Sequence, residues 1–428
     1  MTDTSPRKIG PFLATVLVAG NIIGSGVFLL PATLAAVGSI SVIGWVIATA
    51  GAFATTAVFA TLGAISGSRD GLVGYAAEGT GRFSGFGVAL FYWMGAWVGT
   101  VAMAVATAGY FAVFVPALAR PLPLALTAVA AIWLFTLVNL VGPRAATRFS
   151  GVSLVAGLLP IVFVALAGWA WFDPKVFSAS WNVSGHSGVD AVRMSMISVF
   201  WAYTGFESAA VAAAVVKDPR RDVAIATYGG TAMAAVVYIA ASAALMGMAP
   251  ARELAVSTAP FAFAVGKVLG PAAAMAVAVC ALAKTCGTLC GWILVVAQSA
   301  RAGANSYLFP GRFTGDGGAP VRIMLGMAVV MSAAVLISVS PTAGKQFAVL
   351  INVSTVWTVI PYAVCSVALW RLARGSVAAR VAAALALAFN IWLLTTSDPP
   401  TVWLTLGLAV VTAAVWLMVR RRREAVAA

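Results

Sequence analysis

Two ionisable side chains stand inside apolar runs long enough to cross a bilayer. Lys284 lies in CALAKTCGTLCGW (280–292) and Glu207 in SVFWAYTGFESAAVAAAVV (198–216). An ammonium or a carboxylate can bind or pass a proton, or meet a charged ligand. Each is costly in hydrocarbon unless it is paired, solvated or neutralised. A third polar cluster lies in VAGNIIGSGVFLLPA (18–32). There Asn21, Gly24, Ser25 and Gly26 hold positions that a plain spanning helix fills with Leu or Ile. Glycines this close together let a helix unwind. Unwinding frees backbone N–H and C=O groups, which a membrane tolerates only against a polar cavity or a ligand. The positive end of a half-helix can then meet a carboxylate. A glycine notch that seats a neighbouring helix is the other reading of the same stretch.

Gly205, two residues before Glu207, marks a second candidate break, with Trp201 and Tyr203 as aromatic surface beside it. The competing reading makes Glu207 a structural carboxylate bonded to freed N–H groups. In FYWMGAWVGT (91–100), Tyr92, Trp93 and Trp97 either line a path or anchor a helix at the interface. In LINVSTVWTVIPY (350–362), Asn352, Ser354, Thr355 and Thr358 form a semi-polar stripe, and such hydroxyls commonly bond their own helix backbone. The single histidine, His186, falls in a polar loop and reads as surface. Four cysteines without a CxxC pair argue against a zinc or redox site, so no metal or cofactor is expected.

The elements that must position these residues follow from composition. The chain has 428 residues, of which 62% are hydrophobic and 9% charged. A soluble domain needs far more charge to cover its surface. Apolar runs recur near 11–34, 40–64, 85–116, 122–141, 150–171, 192–215, 224–248, 260–297, 322–340, 347–370, 378–395 and 400–419, twelve in all. With the N-terminus inside, cytoplasmic loops and helix ends hold 19 basic residues and the outer side 6, leaving only Lys284 in the membrane. The net charge of +14 is therefore a topology signal and not a nucleic-acid surface. No Walker sequence and no hydrolase motif is present, so neither nucleotide-driven transport nor an enzyme is expected. No cleavable leader is expected either.

The stretches GNIIGSGVFLLPATLA (20–35), FWAYTGFESAAVAAAVVKDPRRDVAIAT (200–227) and CGWILVVAQSARAGANSYLFP (290–310) closely resemble the arginine/agmatine and lysine/cadaverine antiporters of the amino acid–polyamine–organocation superfamily. The resemblance covers nearly the whole chain. It implies an all-α integral membrane protein of twelve transmembrane helices. Helices 1–10 would form a five-plus-five inverted repeat with discontinuous helices 1 and 6, followed by helices 11 and 12. The expected organisation is a cytoplasmic tail (1–10), a first repeat (11–171), a second repeat (192–370), the last helix pair (378–419) and a basic cytoplasmic tail (420–428). The setting implied is the inner (plasma) membrane with both termini cytoplasmic, an amino acid or amine as substrate, and a homodimer like that of the antiporters.

By the same resemblance, Ile22, Ile23, Gly24, Ser25 and Gly26 take the substrate carboxylate. Trp201 packs on the substrate, while Ala202, Tyr203, Thr204 and Gly205 take the amino group. Tyr92 and Glu207 match a gate on the periplasmic side, Trp292 a second gating aromatic, and Asn352 a polar position bordering the substrate. Two departures stand out: Thr100 replaces an asparagine, and Lys284 replaces a small or apolar residue. Four roles are open for Lys284: a fixed cation in place of sodium, a proton carrier alongside Glu207, a partner for an acidic substrate group, or a cap on freed carbonyls. Together these features imply sodium-independent transport of amino acids by exchange or proton coupling. An arginine/agmatine or lysine/cadaverine antiporter is the alternative, and a non-transporting membrane sensor a remote one.

Overall fold

The computed structural model describes residues 10–66, 71–141, 143–208, 219–305 and 321–427. It is helical throughout, with no strand among the described residues. The chain opens with α1 (Pro11–Ile22), a 3₁₀ turn (Ser25–Phe28) and α2 (Leu30–Ala35). Then come α3 (Ser41–Ile65), the short α4 (Gly71–Thr80) and the long α5 (Arg82–Phe111). α6 (Pro121–Val141), α7 (Pro143–Ala167) and α8 (Pro174–Ala179) lead to α9 (Gly188–Trp201). The second half holds α10 (Pro219–Met248), α11 (Ala251–Val256), α12 (Pro260–Leu269), α13 (Pro271–Asn305), α14 (Val321–Ile337), α15 (Ala343–Leu372), α16 (Val377–Leu394) and α17 (Pro399–Ala427).

Among the described residues, eight helices are long and apolar enough to cross a membrane. α5 has 30 residues, which at the helical rise is about 45 Å and exceeds the ~30 Å hydrocarbon core. The expected span at 260–297 is corrected. It divides at Gly270, whose φ of +87° suits glycine, and Pro271 then starts α13. An apolar run carries no mark of that division beyond the Gly-Pro pair.

Glycine sets the close contacts around the centre. A Cβ on Gly95 of α5 would lie 2.7 Å from Thr358 Oγ1 of α15, and one on Gly230 of α10 would lie 2.7 Å from Val18 Cγ1 of α1. α5 and α15 therefore meet nearly backbone to backbone, as do α1 and α10. The segment after α8 folds back on the α2–α3 turn. Ser39 N–H donates to Ser180 O (2.9 Å), Ile40 N–H to Trp181 O (2.8 Å) and Val183 N–H to Val37 O (3.0 Å).

Candidate functional site

Both breaks foreseen in the sequence are present. α1 stops at Ile22. Ile23 (φ −71°, ψ 70°) and a Gly24 N–H bond to Ile22 O (2.6 Å) make an inverse γ-turn before the 3₁₀ turn begins. The start of that turn presents backbone N–H groups with no partner inside it. α9 stops at Trp201, and the chain passes through Gly205 at φ +114° into a 3₁₀ turn at Phe206–Ser208. A residue with a Cβ is strained at that φ, so Gly205 is what allows the helix to turn here.

The breaks face each other across a cavity of about 70 Å³. That is well under the roughly 300–1,000 Å³ of drug-sized sites, so the chamber as it stands holds a small ligand or a few waters. Ile22, Gly24 and Gly26 line it from the first break, and Trp201, Ala202, Thr204 and Gly205 from the second. Tyr92, Glu207 and Trp292 line it as well. The Trp201 ring lies over Gly26 so closely that a Cβ there would overlap it, and it meets Phe347 edge-on at 5.4 Å.

Among the described lining residues Glu207 is the only charged side chain, and it is 7% exposed. Both of its oxygens accept. Tyr92 O–H donates to Oε1 (2.7 Å), while Tyr362 O–H (2.7 Å) and Gly205 N–H (2.9 Å) donate to Oε2. The carboxylate thus ties α5, α15 and the second break together. Tyr92 lies ten residues after the start of α5, and Tyr362 ten before the end of α15. Gly79, just before α5, packs on Ala368 near the end of α15. The cluster therefore sits towards the end of the bundle that carries Arg82 and Arg371.

Five expected residues do not line the cavity. Ile23 is buried beside it. The Thr100 hydroxyl is spent on Ala96 O (2.9 Å) of its own helix. The Tyr203 side chain points away, bonding Thr49 Oγ1 (2.6 Å) and packing on Trp45. Asn352 accepts from Ser198 O–H (3.3 Å), and Ser354 and Thr358, further along α15, line the cavity instead. Lys284 is 5% exposed, with its stem packed onto Gly157 of α7. Eight residues turn a helix by roughly 80°, so Lys284 and the lining Trp292 point apart. The side chains of Asn21 and Ser25 fall outside the described residues. Of Trp93 and Trp97, neither lines the cavity; Trp93 Nε1 donates to Val296 O (3.0 Å).

Sequence reasoning missed Tyr238 on α10 and Tyr362 on α15. The Tyr238 hydroxyl lies 2.8 Å from Ile22 O and 3.2 Å from Ala202 O. A tyrosine inside an apolar helix is the one signal they offered, and it is shared with many packing residues. Val27, Ala96, Gly99 and Met103 also line the chamber. Nothing but small or apolar character marked them.

Known proteins are similar in sequence along most of the chain. The amino acid permease family profile matches residues 9–425. The cadaverine/lysine antiporter of Escherichia coli (strain K12) is 36% identical over 366 residues, covering 84% of this chain and 82% of that protein. The putrescine transporter PotE of the same strain is 33% identical over 371 residues, 86% of this chain and 84% of its own. PotE of Haemophilus influenzae (strain ATCC 51907 / DSM 11121 / KW20 / Rd) is 32% identical over 365 residues, 85% and 84% respectively. A family match over nearly the full length, two facing helix breaks and a buried chamber between them converge: the chain belongs to the amino acid permease family of the amino acid–polyamine–organocation superfamily.

Proposed function

We propose that this protein is a sodium-independent secondary transporter that moves amino acids and related amines across the inner membrane by alternating access, through exchange or proton coupling. The observation that carries the reading is the meeting of two helix breaks at one chamber, since freed N–H and C=O groups there can hold an amino and a carboxylate group. Ile22 to Gly26 with Thr204 and Gly205 form the backbone part of the site. Trp201 and Trp292 supply aromatic faces, and Tyr92 with Glu207 a gate, at the bundle end that the basic residues would make cytoplasmic. Lys284 and Glu207 are the candidates for coupling.

The order of elements supports twelve helices with a five-plus-five repeat. Each half opens with a broken helix followed by a long one (α3, α10). Each then inserts short helices (α4; α11 and α12) before its next long helix (α5, α13). In this scheme α16 and α17 stand outside the repeat and are free to form a dimer contact.

One observation favours cationic substrates. The sole charged group among the described lining residues is a carboxylate, and it is flanked by aromatic rings that attract cations. Both departures from the antiporter pattern, Lys284 and Thr100, lie off the cavity lining. Lysine, cadaverine and putrescine, named for its relatives, fit this chamber chemistry.

The test is counterflow in proteoliposomes preloaded with each of a panel of amino acids and diamines, with sodium present or replaced by choline. Labelled lysine or a diamine is expected to accumulate equally in both media. Uptake that needs sodium, or no uptake of any amino acid or amine, would remove the proposal.

A further inference from the structure

Tyr238 is 1% exposed, and its hydroxyl stands between Ile22 O at 2.8 Å and Ala202 O at 3.2 Å. A phenol has one proton to donate, so the two carbonyls share it. The two acceptors come from different breaks in different halves of the chain. The ring is gripped from behind: its centroid lies 5.1 Å from Trp45 and 5.8 Å from Tyr203, and Tyr203 is itself bonded to Thr49 of α3. Trp45 of α3 and Tyr203 of the second break thus hold the ring while the hydroxyl reaches across to both breaks. Ile22 O also accepts from Gly24 N–H, so it keeps a partner if the phenol shifts towards Ala202.

We propose that Tyr238 is a positioning residue that latches the two broken helices to each other. As one break moves, the proton shifts its weight from one carbonyl to the other, and Ile22 O keeps Gly24 N–H when the phenol moves towards Ala202. The hydroxyl then speeds the interconversion of states and makes the two breaks move together, without serving as a substrate ligand. This rests on the transporter reading above.

Tyr238→Phe keeps the ring contacts and deletes only the hydroxyl. Labelled lysine or cadaverine, whichever the wild type carries, is measured for equilibrium binding and for counterflow, alongside hydrogen exchange of segments 20–28 and 200–207. The maximal rate is expected to fall about tenfold, as for one net hydrogen bond, while the Kd stays within about threefold and the two segments, concerted in the wild type, exchange independently in the variant. A weakened Kd with an unchanged maximal rate would make Tyr238 a substrate contact and overturn the latch, as would no change in any readout. If the variant does not fold, hydrogen exchange on the wild type decides. The two segments must change protection in concert when substrate is added, and independent responses sink the idea. A wild type that carries nothing defeats the transporter reading instead, while apo hydrogen exchange of the variant still reports on the latch.

Discussion

Glu207 accepts three hydrogen bonds from three separate parts of the chain. Glu207→Gln swaps one acceptor oxygen for an NH₂ that faces a donor, and hydrogen bonds to a charged group are worth about 1.5–3 kcal/mol. Counterflow is expected to fall tenfold or more; a rate near wild type would remove Glu207 from the gate. Lys284 presents a different case. It is buried, and no hydrogen bond or ion pair holds its ammonium among the described residues. A buried charge without a partner is destabilising, so Lys284→Met is expected to raise thermal stability in detergent by about 1 kcal/mol or more. The same variant is expected to change the pH dependence of transport. A lower melting temperature would mean the ammonium is bonded after all, and an unaltered profile from pH 5 to 8 would end its coupling role. Glu207 and Lys284 were legible because charge in an apolar run is rare. Tyr238 and Tyr362 were not, because their partners lie 216 and 155 positions away in the chain.

At the scale of elements, glycine spacing read correctly as two breaks. The run from 260 to 297 did not divide on the page, because Gly270 and Pro271 interrupt its backbone without interrupting its hydropathy. Helix rotation was the harder quantity. Thr100, Asn352 and Lys284 all sit on helices that form the site, yet face away from the chamber, and only the packing of neighbouring helices sets that angle. Gly26 shows how tight the packing is. Its missing Cβ is the space that Trp201 fills. Gly26→Ala must push the indole aside, and overpacking of this kind costs roughly 1–3 kcal/mol. Binding of labelled substrate is expected to weaken about tenfold. An unchanged Kd would show that Trp201 can seat elsewhere without loss.

Across the whole molecule, the basic residues and the carboxylate cluster define a polarity. The bundle end bearing Arg82 and Arg371 is the one nearer to Glu207. Tyr92, which holds that carboxylate, is ten residues from one end of α5 and nineteen from the other. Helical rise turns these into about 15 Å and about 28 Å. In a membrane centred on α5, the charged centre of the chamber would stand off-centre and divide the transmembrane voltage unequally. A monovalent cation reaching Glu207 from the nearer side crosses roughly a third of the field, worth about 0.8 kcal/mol per 100 mV, and one from the far side roughly twice that. Loading from the two faces would then respond to voltage by different amounts, so the carrier would be electrically asymmetric even if its chamber were chemically the same from both sides.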